Sequence, residues 1–169
     1  MTEVYLSLGS NIDPEVNISR AVVELKKKID VLSISTVYQT EPLGVKQQPD
    51  YYNCVLKAET LLDARTLKYD VLRVVELSLG RQRTEDRYAP RTIDIDILLF
   101  GRQTVDEQGL RVPDPDIMNR PFLSLALSEL SPDLKLPGSC LPVSDLRAGE
   151  AKAGIYPLTE FTSRLRAIL

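Results

Sequence analysis

The chain has 169 residues, 43% of them hydrophobic, and a net charge of -3 at pH 7. That length suits one domain with a substantial core, and the acidic balance argues against general nucleic-acid binding, which usually leaves a basic domain. Histidine is absent and only Cys54 and Cys140 carry thiols, which excludes a Ser-His-Asp triad, a His-assisted cysteine nucleophile and a His-ligated zinc site.

No apolar run approaches the ~18 residues needed to span a membrane. The N-terminal residues lack the basic and apolar regions of a signal peptide, and the distant cysteines read as free thiols, so a cytoplasmic protein is expected.

In chain order, Val4-Tyr5-Leu6-Ser7-Leu8 alternates as a first strand and stops at Gly9-Ser10-Asn11, a turn by composition. Asp13 before Pro14 has the form of an N-cap with proline at the first helical position. Ile18, Ala21, Val22, Leu25 and Ile29 fall on one stripe, which predicts a helix over residues 15–28. Leu32, Ile34, Thr36 and Tyr38 predict a second strand, and residues 52–58 a third, with Pro42, Gly44 and Pro49 in the loop between them.

Asp63 is placed to cap a second helix that turns Leu67, Val71, Val74 and Val75 to the core and ends at Gly80. Residues 81–90 have no apolar periodicity and read as a polar loop. A fourth strand then completes the order β-α-β-β-α-β. That is a ferredoxin-like α+β core, an antiparallel sheet with helices on one face. Beyond it, Val112-Pro113-Asp114-Pro115 reads as extended, Pro121 starts a third helix, and Leu158, Phe161, Leu165 and Ile168 form the stripe of a last one. The expected division is a core domain over residues 1–138 and a C-terminal extension over 139–169.

The fourth strand carries the chemistry. In Arg91-Thr92-Ile93-Asp94-Ile95-Asp96-Ile97-Leu98-Leu99-Phe100 the isoleucines and Leu99 alternate with Asp94, Asp96 and Leu98. Asp94 and Asp96 therefore share a face, with Cα atoms ~6.6 Å apart. An Asp-x-Asp pair is often only a solvated strand face. Here Arg81, Arg83, Arg87 and Arg91 lie directly upstream, planar forks suited to phosphate oxygens. Crowded carboxylates call for a cation, and Mg²⁺ favours one or two carboxylates plus substrate phosphates. The combination suggests polyphosphate chemistry.

At these residues the chain closely resembles the hydroxymethyl-dihydropterin pyrophosphokinases, folate-pathway enzymes. The matching pieces are Leu8-Gly9-Ser10-Asn11, Tyr38-Gln39-Thr40-Glu41-Pro42-Leu43-Gly44, Gln48-Pro49-Asp50-Tyr51-Tyr52-Asn53, Glu76-Leu77-Ser78-Leu79-Gly80-Arg81 and Tyr88-Ala89-Pro90-Arg91-Thr92-Ile93-Asp94-Ile95-Asp96. The last two are specific together and in this order.

The resemblance implies transfer of pyrophosphate from ATP to 6-hydroxymethyl-7,8-dihydropterin, with AMP as the other product. It implies two Mg²⁺ ions held by Asp94 and Asp96, and catalytic roles for those two residues with Arg81 and Arg91. ATP would be bound by Glu76, Arg81, Arg83, Arg91 and Arg120. The pterin would lie against Thr40, Pro42, Leu43, Tyr51, Asn53 and Phe122, and Arg83, Arg87 and Tyr88 would belong to a mobile lid.

The implied partners are ATP and a pterin, with no nucleic acid and no membrane, and a monomer is expected. Two departures stand out. Asp114 occupies the place of a family histidine in Val112-Pro113-Asp114, and Arg73 replaces a glutamine found near the adenine in some members. With no histidine to titrate, the chemistry is expected to vary little between about pH 6 and 8. Two other readings stay open at this point. A nucleotidyltransferase would release pyrophosphate instead of AMP, and the other alternative is a ferredoxin-like binding module for a small ligand or RNA, of which the RNA version needs exposed aromatics on its central strands.

Overall fold

The computed structural model describes residues 1–42, 47–82, 85, 86, 88–145 and 154–169. Strands are β1 (Thr2–Ser10), β2 (Asp30–Ile34), β3 (Tyr38–Thr40), β4 (Tyr51–Thr60), β5 (Asp94–Phe100), β6 (Val105–Glu107), β7 (Leu110–Val112) and β8 (Ile155–Pro157). Helices are α1 (Pro14–Lys26), α2 (Ala64–Thr66), α3 (Arg73–Ser78), α4 (Asp116–Asn119), α5 (Pro121–Leu130) and α6 (Thr159–Arg166), with a π-helical segment Leu67–Leu72 joining α2 to α3. The main sheet runs β5-β1-β4-β3-β8, with β2 also on β4, and every pairing is antiparallel. Leaving β8 aside, this is the ferredoxin-like order, with α1 and α2–α3 on one face.

The predicted second strand is two strands. Both β2 and β3 pair with β4, and the break falls at buried Ser35. Its backbone N–H donates to the Val55 carbonyl and its hydroxyl accepts from the Val55 N–H, both at 2.9 Å. A side chain thus takes over one rung of the ladder. At the other end of the motif, Gly9 and Ser10 continue β1 opposite Asn53 and Tyr52, where composition had suggested a turn. Asp13 sits at the N-cap of α1 but in the left-handed region, φ 42°, and its side chain makes no capping bond.

Asp63 does cap α2: its carboxylate accepts from the Thr66 N–H and hydroxyl, both at 2.9 Å. From there three of the four expected core residues, Leu67, Val71 and Val75, are buried, and Val74 is not. Ala64, Leu67, Lys68, Val71, Leu72, Val75, Glu76 and Leu79 are buried while Val74 is 51% exposed. The reason is the π segment, whose i→i+5 bonding takes more residues per turn and turns a four-residue period inward. The helix ends as Gly80 predicts. Gly80 has φ +79°, its N–H donates to the Leu77 carbonyl at 3.0 Å, and the Arg81 N–H reaches back to Glu76 at 3.0 Å, a Schellman closure.

Val4, Leu6 and Leu8 of β1, Cys54, Leu56 and Ala58 of β4, and Ile93, Ile95 and Ile97 pack beneath α1 and the α2–α3 stretch. Each fully buried aliphatic side chain contributes roughly 1.5–3 kcal/mol. The opposite face holds a second cluster in which α5 packs Phe122, Leu123, Ala126 and Leu127 against Tyr5, Val55, Leu98 and Leu99. Leu99 was expected beside the isoleucines. A bulge against β1, where Tyr5 pairs with Leu99 but Leu6 with Ile97, slips the alternation and sends Phe100 to the first face instead.

The C-terminal segment joins the same sheet: β8 pairs with β3, and α6 buries Phe161 and Leu165 in the first cluster. Among the described residues no helix is long and apolar enough to cross a membrane.

Candidate active site

Three strands lay the floor. Asp94 pairs with Gly9 and Asp96 with Ser7 on β1, and Gly9 pairs in turn with Asn53 on β4. Residues directly opposite share a face, so Asp94, Gly9 and Asn53 form a row across the sheet. Tyr51 lies two residues from Asn53 on that face, opposite Thr40. Asn53 is buried, and its Nδ2 donates to Thr40 Oγ1 at 2.9 Å. A Cβ on Gly9 would stand 3.0 Å from Asn53 Oδ1, so glycine is what leaves room for the amide.

Above this floor opens a cleft of about 790 Å³ lined by Thr40, Pro42, Tyr51, Asn53, Tyr88, Arg91, Asp94, Asp96, Arg120 and Phe122, among others. A second cleft of about 630 Å³ runs past β6 and β7. The two adjoin at Asp96, Asp114 and Asp116, which line both. Both are of a size that takes small ligands.

Each carboxylate of the pair has its own cations. Asp94 accepts from Arg91 Nη1, and Arg81 Nη2 lies 3.6 Å from its other oxygen. Asp96 accepts from Lys68 Nζ at 2.5 Å. Arg81 is set by the Schellman closure of α3, and Arg91 by Asn11, whose Oδ1 accepts the Arg91 N–H at 2.8 Å. The same Asn11 donates to Gln48 Oε1 at 3.2 Å, and Gln48 donates to the Tyr88 carbonyl at 2.6 Å, so one amide chain ties together the segments before β4 and β5.

Burial works against the charge on Arg91, yet Asp94, Tyr51 and Asp96 outweigh it and raise its pKa. Burial likewise raises the Tyr51 phenol, against the pull of Arg91. Arg81 Nε is buried without a hydrogen-bond partner among the described residues.

Asp114 accepts the Asp116 N–H at 2.8 Å, and burial, helped by Asp96 and Asp116, pushes its carboxyl from 3.8 up to about 6. A titrating group therefore stands at the lower edge of the pH window that the missing histidine had suggested would be flat. Cys54 is fully buried, and desolvation pushes its thiol up to about 12.

Of the anticipated site residues, Thr40, Pro42, Tyr51, Asn53, Tyr88, Arg91, Asp94, Asp96, Arg120 and Phe122 converge on the larger cleft. Arg81 joins them through Asp94. Leu43, Arg83 and Arg87 lie outside the described residues. Glu76, anticipated as an ATP ligand, is elsewhere: it is buried, lines neither cleft, and its Oε1 accepts the Ile95 N–H at 2.8 Å. The four-residue period of the π segment turns it under β5 to hold the strand that carries the aspartates. Arg73 stacks over the Tyr69 ring at 4.3 Å and also lines neither cleft.

Sequence reasoning missed Lys68, Ser7, Asp116, Gly154 and Ile155. For Lys68 a signal existed: Ala64, Lys68, Leu72 and Glu76 repeat every four residues, putting opposite charges on an apolar stripe.

A hard divalent ion fits this donor set. Two adjacent carboxylates offer oxygen ligands and leave the rest of the shell to phosphate oxygens and water, and the arginines beside them are donors for the same phosphates. Among the described residues no group of three or more His, Cys, Asp or Glu could hold a metal by itself. The aromatic sheet surface of an RNA-binding module is not formed by the described residues, since α5 and the aspartate-lined cleft occupy that face.

The family model for 7,8-dihydro-6-hydroxymethylpterin-pyrophosphokinase matches residues 5–132. A Haemophilus influenzae 2-amino-4-hydroxy-6-hydroxymethyldihydropteridine pyrophosphokinase is 37% identical over 142 residues, 82% of this chain and 88% of that protein. The Pneumocystis carinii folic acid synthesis protein fol1 is 32% identical over 167 residues, 98% of this chain but only 22% of that longer protein. The crystal structure of wild-type Plasmodium falciparum HPPK-DHPS shares the fold at a TM-score of 0.69 and 13% identity, over 87% of this chain and 44% of that one. With the family model covering most of its length, the chain belongs to the 7,8-dihydro-6-hydroxymethylpterin-pyrophosphokinase family of enzymes.

Proposed function

We propose that this chain transfers the pyrophosphoryl group of ATP to the hydroxymethyl group of 6-hydroxymethyl-7,8-dihydropterin in folate biosynthesis. The observation that carries the reading is the continuous row Asn53–Gly9–Asp94, which joins the part of the cleft lined by Thr40, Tyr51 and Asn53 to the carboxylate and arginine cluster. The pterin lies over Gly9 between Tyr51 and Phe122, with the Asn53 amide offering a donor and an acceptor to its edge. The hydroxyl oxygen attacks the β-phosphorus, the bond from the β-phosphorus to the α,β-bridging oxygen breaks, AMP leaves with that oxygen, and the hydroxyl proton is released to solvent.

Little covalent work falls to the protein, because such transfers depend on positioning and charge stabilisation. Arg81, Arg91 and Arg120 bind and orient the phosphates, with Tyr88 at the rim of the cleft. Asp94 and Asp96 would hold two Mg²⁺ ions, which neutralise charge on the attacking and leaving oxygens when bound. The enzyme acts as a soluble cytoplasmic monomer.

The test is product analysis. Mg-ATP and the pterin should yield AMP and the pterin diphosphate, where a nucleotidyltransferase would release pyrophosphate. Asp94→Ala and Asp96→Ala should each lower kcat by ~10³-fold or more; Asp94→Ala should melt near the parent, whereas Asp96→Ala, which strips buried Lys68 of its carboxylate, should melt lower. Near-normal turnover in either variant would remove the carboxylate pair from the mechanism.

A further inference from the structure

Lys68 is the one buried lysine among the described residues, 7% exposed. Its ammonium donates to Asp96 Oδ1 at 2.5 Å and to the Ile95 carbonyl at 3.2 Å, and it lines the smaller cleft where that meets the larger one. Burying an ammonium is costly unless it is paired and hydrogen-bonded, so a helix facing a core has reason to turn a lysine outward. Here the backbone does the opposite. The π segment Leu67–Leu72 places Lys68 on the inward row with Ala64, Leu72 and Glu76, and such insertions are frequent at functional sites.

The cations of the two aspartates also differ in kind. Arg81 and Arg91 beside Asp94 are forks able to turn to phosphate oxygens. Lys68 is held at the strand itself by the Ile95 carbonyl, so it stays with Asp96. Asp114 and Asp116 line the same cleft and add negative charge to be offset.

We propose that Lys68 is a positioning residue for the transfer: bound to one oxygen of Asp96, it fixes that carboxylate so that the other oxygen faces the junction of the two clefts. This rests on the assignment of Asp94 and Asp96 as carboxylates for a divalent ion. Lys68 offsets charge at Asp96 before ligands arrive and orients the group afterwards. Its ammonium repels a divalent ion at the same carboxylate, so orientation and affinity are opposed.

The experiment uses Lys68→Met, which keeps the apolar stem, and Lys68→Arg, which keeps the charge. Mn²⁺ affinity is titrated by electron paramagnetic resonance with a non-hydrolysable ATP analogue, alongside kcat at saturating Mg-ATP and thermal melts. Lys68→Met should bind Mn²⁺ about tenfold more tightly, because a like charge is gone, while kcat falls ~10²-fold. Lys68→Arg should return Mn²⁺ affinity to that of the parent.

An unchanged kcat in Lys68→Met overturns the proposal. So does a joint loss of kcat, Mn²⁺ affinity and melting temperature that Lys68→Arg fails to reverse, which marks a purely structural lysine. Asp96→Asn separates the two layers of argument. If it leaves Mn²⁺ affinity intact, the carboxylate assignment itself is wrong. If it abolishes binding while Lys68→Met behaves as the parent, Lys68 alone is misassigned.

Discussion

Single side chains at this site work against close tolerances. Gly9 and Asn53 face each other across β1 and β4 with space for no methyl group between them, so Gly9→Ala must displace the amide or the strand. Asn53→Ala removes the amide but leaves the strands alone. Both should weaken pterin binding by roughly 1–3 kcal/mol, the cost of leaving a buried polar edge unpaired, and leave ATP binding nearly unchanged. Calorimetry with each ligand separately checks this. Asp114 makes a second case. Its folded carboxyl titrates at about 6 against 3.8, so between those values the unfolded chain releases a proton that the folded chain keeps. Folding stability is therefore lost as pH rises through that window, and the loss is complete above about 6. Asp114→Asn retains an oxygen for the Asp116 N–H and carries no charge. Without metal or nucleotide it should be more stable than the parent at pH 7.5 by on the order of 1–3 kcal/mol, with no gain at pH 4. Urea denaturation at the two values checks the sign.

Whole elements were legible wherever one local rule governed them. The α1 stripe, the Asp63 cap, the Gly80 stop and the shared face of Asp94 and Asp96 all follow from spacing and backbone preference. The misses have a common cause in tertiary contacts that insert or replace a residue. Ser35 substitutes its hydroxyl for a strand partner and splits the second strand, a bulge at Leu98 and Leu99 slips β5, and the π segment turns Glu76 and Lys68 under the sheet. Asn53 reads as a turn residue by composition, and only the family resemblance pointed to it as a ligand. The closure of α3 shows how an element end serves the site. Gly80 has φ +79° with nothing within 4 Å of a would-be Cβ, so Gly80→Ala meets backbone strain and no clash. A stability loss of about 1–2 kcal/mol is expected. Because the Arg81 N–H completes the same closure, kcat should drop further than a loss of stability explains, while nucleotide affinity changes little. Thermal melts with single-turnover kinetics separate the two effects.

At the scale of the molecule, the sheet is finished from its C-terminal end. β8 extends β3 beside Thr40, and Gly154 and Ile155 line the larger cleft. Behind them α6 closes the first core. Phe161 and Leu165 are buried, the Phe161 ring lies 6.2 Å from that of Tyr52, and Thr162 Oγ1 accepts the Val37 N–H at 2.9 Å. Lys26 reaches the Leu169 carbonyl at 2.8 Å, which ties the segment to α1. Stability and pocket shape are thus coupled through one stretch of chain. Removing residues 155–169 withdraws two buried apolar side chains worth roughly 1.5–3 kcal/mol each, less the ordering entropy recovered when that stretch is absent. It also bares the outer edge of β3, on the side of Thr40. The truncated chain should melt at least about 5 °C lower and bind an apolar dye that the parent does not. Its affinity for the pterin should fall more than its affinity for ATP, because Ile155 belongs to the wall near Thr40 and not to the arginine cluster. Calorimetric melting and separate ligand titrations check both. Equal losses for the two ligands would mean that the segment supports the fold without shaping the pocket.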